Sequence, residues 1–162
     1  MTTPNLSVGH VHLKVSNLER SIDFYTRVLG LEIMQRFGTQ AAFLSAGGYH
    51  HHLGLNTWHS KDADPAPRHA PGLYHTAFLY PDRAALGRAI LRAKTQGVTL
   101  EAAADHGVSE AVYFSDPDGN GIELYRDRPR EDWPVKSDGS LRMTNNPLDV
   151  DALVAESPTV VA

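Results

Sequence analysis

Residues 9–33 read GHVHLKVSNLERSIDFYTRVLGLEI, and the succession of patterns within them decides the fold. From His10 to Val15, apolar Val11, Leu13 and Val15 alternate with His10, His12 and Lys14, the period of a strand with one face on a core. Ser16 and Glu19 match a capping box, S-x-x-E, and open a helix. Leu18, Ile22, Tyr25 and Leu29 then recur at helical spacing, and Gly30 closes the helix. Three short strands follow over 31–36, 41–45 and 50–57, with Gly47 and Gly48 in the last turn. Together they make one βαβββ module.

After a polar, proline-rich linker, WHSKDADPAPRHAP (58–71), the order restarts. Residues 73–80 form a strand. Asp82 begins a helix that carries Leu86, Ile90 and Ala93 on one side and ends at Gly97. Extended chain follows over 98–101, 110–115 and 121–125, with PDGNG (117–121) as the tight turn. His10 and His75 are 65 positions apart and His52 and Glu123 are 71 apart. Laid without a gap on AVYFSDPDGNGIELY (111–125), AAFLSAGGYHHHLGL (41–55) puts Leu53 opposite Glu123. Pairing His52 with Glu123 therefore takes a one-residue difference in the turns. The expected fold is α+β, with two paired βαβββ modules (about 7–57 and 72–127) forming a cupped, partly open mixed β-barrel with helices outside. One domain is expected over 1–130. A C-terminal extension covers 131–162, with a short amphipathic helix over 147–155 and frayed last residues.

The composition narrows the function classes. A net charge of −4 without a basic run argues against a nucleic-acid backbone as partner. The chain has no cysteine, which excludes a disulfide scaffold, a thiolate zinc site and a cysteine nucleophile. MTTPNLSVGH lacks the order of a signal peptide and no apolar run reaches membrane length, so a cytoplasmic protein is expected. Nine histidines in 162 residues direct attention to metal binding and proton transfer.

Alternation puts His10 on one face with His12, His75 with Ala77 and Leu79, and Glu123 with Gly121 and Tyr125. If both sheets curl around a shared cup, His10, His52, His75 and Glu123 converge. Two imidazoles and one carboxylate are the facial triad of non-heme Fe(II) oxygenases, a donor set that also suits Mn(II), Zn(II) or Ni(II). A lone strand histidine is ordinarily a hydrogen-bonded side chain, and a lone Glu123 could be a salt-bridge partner. Metal-competent residues at similar places in two repeats are what point to an ion. His52 is the candidate fourth ligand or proton acceptor, and His51 is expected to pack outward or at a dimer surface. His12 falls between pocket lining and structural packing, and His59 and His69 read as solvated linker residues. DPDGNG lacks the spacing and closing glutamate of a calcium loop and reads as a turn.

GHVHLKVSNLERSIDFYTRVLGLEI, GLYHTAFL (72–79) and YFSDPDGNGIELYRDRP (113–129) together resemble the vicinal oxygen chelate superfamily over residues 7–130. That superfamily includes glyoxalase I, bleomycin-resistance proteins, methylmalonyl-CoA epimerase and extradiol ring-cleaving dioxygenases. The resemblance implies the paired-module fold and puts His10, His75 and Glu123 on the metal-ligand positions. It is greatest to catechol-2,3-dioxygenase-like proteins. YHHHLGLNTW (49–58) is similar to the strand carrying their acid–base histidine, which falls at His52. Tyr113, ten residues before Glu123, stands where those enzymes have a tyrosine that hydrogen-bonds the substrate. His106, in ADHGVSEAVYF (104–114), resembles another pocket histidine. The tail GSLRMTNNPLDVDALVAE (139–156) is also similar to the segment that follows this module in such chains. Extradiol dioxygenases carry two such domains in tandem, whereas one is read here. His52 or Leu53 stands where glyoxalase I needs glutamine or glutamate.

The resemblance implies an Fe(II) extradiol-type dioxygenase acting on a small catechol-like aromatic with dioxygen, as a homodimer. Metal-assisted isomerase or lyase chemistry of the glyoxalase type is the alternative. A third reading, from another class, is a protein that sequesters a drug or metabolite without catalysis.

Overall fold

A computed structural model describes residues 6–157; the frayed end expected at the C-terminus falls on 158–162, outside the described residues. Strand β1 is Val11–Lys14, with Leu13 and Val15 buried as the alternation requires. Helix α1, Leu18–Phe24, buries Leu18, Ser21 and Ile22. Its cap is Asn17, whose side chain accepts the Arg20 N–H. The box expected from Ser16 and Glu19 does not form, because both residues have charged partners elsewhere. Ser16 donates its N–H and hydroxyl to the Asp118 carboxylate at 3.1 and 2.6 Å, and Glu19 pairs with Arg36. The helix runs on as a wider π turn, Tyr25–Leu29, and stops at Gly30 with φ 73°, a left-handed cap that glycine adopts without steric cost.

Strands β2 (Glu32–Phe37), β3 (Ala41–Ser45) and β4 (Leu53–Asn56) complete the first module. Their sheet has the order β1-β4-β3-β2, with β1 parallel to β4 and the other pairs antiparallel. β4 is buried throughout, whereas the edge strand β2 is exposed along its whole length. β4 starts later than the expected residue 50. Gly47 and Gly48 both hold positive φ and lead the chain out of the sheet; backbone bonds to it resume at His52, and the regular strand at Leu53.

The second module repeats this plan with β5 (His75–Leu79), α2 (Arg83–Thr95), β6 (Ala102–Asp105), β7 (Ser109–Ser115) and β8 (Gly121–Asp127). Its sheet order, β5-β8-β7-β6, is the same, so the two βαβββ modules and the α+β class read from the sequence are present. Asp82 caps α2, and Leu86, Ile90 and Ala93 are fully buried. The strand expected over 98–101 lies instead at 102–105, because the Val98 N–H still bonds back to the Ala93 carbonyl and closes the helix.

The C-terminal extension packs on this second module. Asn146 forms a backbone bridge with Asp105, and the Trp133 indole N–H donates to the Arg128 carbonyl at 2.8 Å. Helix α3, Val150–Ala155, capped by Asp149, lies on α2 with Leu153 buried. Gly87 permits this, since a Cβ there would overlap the Ser157 hydroxyl and the Leu153 carbonyl.

The chain forms two compact units, one up to Ala70 with Pro117–Gly119, the other Pro71–Asp116 with Asn120 onward. The Asp118 bonds to Ser16 account for those three turn residues belonging to the first. Among the described residues, no helix is long and apolar enough to cross a membrane.

Candidate metal centre

In the second unit, sheet register gathers the polar groups. Glu123 on β8 stands opposite Ala77 on β5 and opposite Tyr113 on β7, and His75 shares the face of Ala77. Gly121 lies beside His75. A Cβ there would overlap the Tyr74 carbonyl oxygen and come within 3.0 Å of the His75 Cβ, so glycine lets the two strands close.

The result is a row of hydrogen bonds. His75 Nε2 lies 2.9 Å from Glu123 Oε2. Glu123 Oε1 accepts from the Tyr113 hydroxyl at 3.0 Å. The same hydroxyl is 2.8 Å from His106 Nε2, and His106 Nδ1 is 2.9 Å from the Thr144 carbonyl oxygen. Burial, and then the Glu123 charge, push the Tyr113 phenol well above its usual pKa, so it stays protonated.

Two observations fit a cation here. His75 Nδ1 is buried and, among the described residues, has no hydrogen-bond partner, which leaves Nε2 as the polar end of the ring. Two donors each about 2.1 Å from one ion at a right angle stand about 3.0 Å apart, close to the spacing of His75 Nε2 and Glu123 Oε2. Among the described residues of either unit, no group of three His, Asp or Glu side chains is gathered to hold an ion. Of the three side chains expected as ligands, the second unit brings His75 and Glu123 together.

His10, His12 and His52 belong to the first unit. His10 is exposed and stacks at 4.4 Å on His51, whose ring lies 5.0 Å from Phe43. Of the two expectations for His51, packing outward is not met. The glycine turn frees His50 and His51 from strand alternation, and the His51 ring settles on two aromatic neighbours. Exclusion of water, and then His10, hold His51 below the usual imidazole pKa. His50 Nδ1 lies 2.8 Å from His51 Nδ1, and both line a cavity of about 410 Å³ with Met34, Gln35 and Phe43. His12 packs between Phe43 and Trp58 at 5.8 and 5.6 Å. His52 faces Ser45 Oγ at 2.9 Å and accepts the Ala46 N–H on Nδ1 at 3.3 Å, which puts the proton of the neutral ring on Nε2. His59 and His69 are exposed, as expected.

The modules can now be aligned by their bonds. The helix caps Asn17 and Asp82 are 65 residues apart. So are Val15 and Tyr80, whose N–H groups end equivalent strands on Asn56 and Tyr125. His10 is therefore the counterpart of His75. The pair His12 and Gly54 stands where Ala77 and Glu123 stand, and Phe43, opposite Gly54, where Tyr113 stands. The counterpart of Glu123 is Gly54, neither His52 nor Leu53; the one-residue difference in the turns runs opposite to the direction assumed. The likeness of Phe43 to Tyr113 was readable in AAFLS and AVYFS. The contact of Thr144 with His106 carries no sequence signal, because the acceptor is a main-chain oxygen.

A model of the Glyoxalase/Bleomycin resistance protein/Dioxygenase superfamily matches residues 7–124. The chain belongs to this superfamily. It is 41% identical over 150 residues to a catechol-2,3-dioxygenase of Bacillus subtilis (strain 168), covering 93% of this chain and 52% of that protein. It is 30% identical over 126 residues to a lactoylglutathione lyase of Escherichia coli O157:H7, covering 74% and 91%. It therefore spans about half the length of the dioxygenase it matches. A lactoylglutathione lyase structure from Agrobacterium tumefaciens superposes with TM-score 0.59 at 27% identity, over 76% of this chain and 96% of that one. Relatives within the superfamily thus include both dioxygenases and lyases.

Proposed function

We propose that the protein is a metal-dependent dioxygenase of the extradiol type, acting on a small catechol-like aromatic. The observation that carries this reading is the row His75–Glu123–Tyr113–His106. It puts a phenol and an imidazole beside two metal-competent donors, the groups needed to bind and deprotonate a diol. The 41% identity to a dioxygenase supports it. His10, His75 and Glu123 are the proposed ligands, His10 through its equivalence to His75 and the family motif. A divalent ion, Fe(II) in this reading, supplies the Lewis acidity that lowers the pKa of two vicinal hydroxyls and the redox partner for dioxygen. Tyr113, held protonated, hydrogen-bonds a substrate oxygen. His52 takes and returns a proton through Nε2.

Metal analysis of anaerobically purified protein, followed by oxygen uptake with a catechol panel, tests the proposal. Iron with catechol-dependent uptake is expected. His10→Ala, His75→Ala and Glu123→Ala should each strip most of the metal, and full occupancy in two of the three would end the ligand assignment. The lyase relatives, covered nearly end to end, favour glyoxalase-type chemistry as the second reading. Zn(II) or Ni(II) content with oxygen-independent turnover would select it. A homodimer is proposed on the exposed edge strand β2, where Phe37 is 63% exposed; a monomer in light scattering at micromolar concentration would reject it.

A further inference from the structure

The C-terminal extension does more than cover the second module. Thr144 meets His106 from two sides. Its N–H donates to the His106 carbonyl at 2.9 Å, and its own carbonyl faces His106 Nδ1 at 2.9 Å. The segment is clamped on either side of that contact. Asn146 and Asp105 exchange backbone bonds at 3.0 and 2.9 Å, and the Thr144 hydroxyl donates to the Asp105 carbonyl at 3.2 Å. Gly107, at φ 76°, leaves room for Pro134 and Thr144, which lie 3.0 and 3.2 Å from where a Cβ would be.

A carbonyl oxygen can only accept. Whatever the charge of the imidazole, a bond to Thr144 therefore requires the proton on Nδ1 and turns Nε2 toward Tyr113. Without that acceptor, the side-chain hydrogen bond left to the ring among the described residues is the one to Tyr113, the residue it would have to orient.

We infer that Thr144 is a positioning residue of the site. Its main-chain carbonyl fixes the orientation and Nδ1 protonation of His106, and through His106 it aims the Tyr113 hydroxyl. The effect on turnover rests on the dioxygenase reading above; the effect on the imidazole does not.

The test uses the full chain labelled with ¹⁵N-histidine, with His106 assigned by its loss in His106→Gln. Long-range ¹⁵N–¹H correlation should show His106 protonated at Nδ1. Asn146→Pro removes one clamp bond, and Thr144→Pro removes the bond to the His106 carbonyl and the hydroxyl contact. Both should abolish the Nδ1 signature, while Met143→Ser, at a 61% exposed position of the same segment, leaves it intact. If catechol-dependent turnover is present, Asn146→Pro should lower kcat about 10- to 100-fold, the range for lost outer-shell partners. The double variant with Tyr113→Phe should then lose no more than the larger single loss. An Nδ1 site unprotonated in the wild type would overturn the inference, since that measurement depends on no variant. So would a signature that survives both proline variants, or losses that multiply. Absence of oxygen uptake would sink the dioxygenase reading and leave the imidazole result to decide this one.

Discussion

The two modules share a strand order and a 65-residue offset between their capping residues, yet they fill equivalent positions with opposite chemistry. Where the second has Glu123 and Tyr113, the first has Gly54 and Phe43. The space over Gly54 is taken by the His12 ring, whose atoms lie 2.8 Å from where a Cβ would be. At the corresponding place in the second module, Ala77 leaves Glu123 unobstructed. One copy of the frame is thus lined with rings and the other with a hydrogen-bonded row. The histidine at the head of the first strand is common to both. Function on such a scaffold sits in two or three positions that the fold itself does not need.

The largest effect expected from breaking this asymmetry is at His52, which the second module answers with Gly121. His52→Ala should retain metal and lose turnover by about 10²- to 10⁴-fold, as for a positioned proton-transfer group. A greater loss from His51→Ala would move that role to the ring stacked on His10. Next come the glycines. Gly121→Ala drives a methyl into the Tyr74 backbone and should destabilise the protein by about 3 kcal/mol in urea unfolding, the upper end for overpacking. Gly54→Ala meets only a side chain that can swing, so about 1 kcal/mol is expected. His12→Ala in the same molecule should recover most of it; no recovery would deny that the ring occupies the missing carboxylate's place. Tyr113→Phe, which makes the second module like the first, should cost turnover about 10- to 100-fold with metal retained. The reciprocal Phe43→Tyr adds a hydroxyl beside a glycine and should change melting by no more than about 0.5 kcal/mol equivalent.

The fold was legible because its signals are local. The alternation in HVHLKV, the helical spacing of Leu18 to Leu29 and the glycine turns each act within a few residues. At the start of α1, expectation and structure part because a distant group wins a local competition. Ser16 looks like a cap until Asp118, 102 residues away, takes its N–H and hydroxyl, and Asn17 caps instead. At β4 the cause is local: the histidine run continues the alternation expected of a strand from residue 50, while the glycines just before it delay the strand to Leu53. Of the site, His75, Glu123, Tyr113 and His106 could be named from spacing and family resemblance. Their bonding order, the stacking of His51 on His10 and the part of Thr144 depend on register and main-chain atoms, which no residue type announces.

The Asp118 carboxylate also has a bearing on how the chain is born. A ribosome adding 5–20 residues per second needs roughly 5–20 s to travel from Ser16 to Asp118. Through that interval the four strands of the first module can already have emerged, while the start of α1 lacks the carboxylate that will hold Ser16 and Arg20. Until Asp118 is added, the older half of every nascent chain lacks that latch. The latch is supplied by the turn between the last two strands of the younger half.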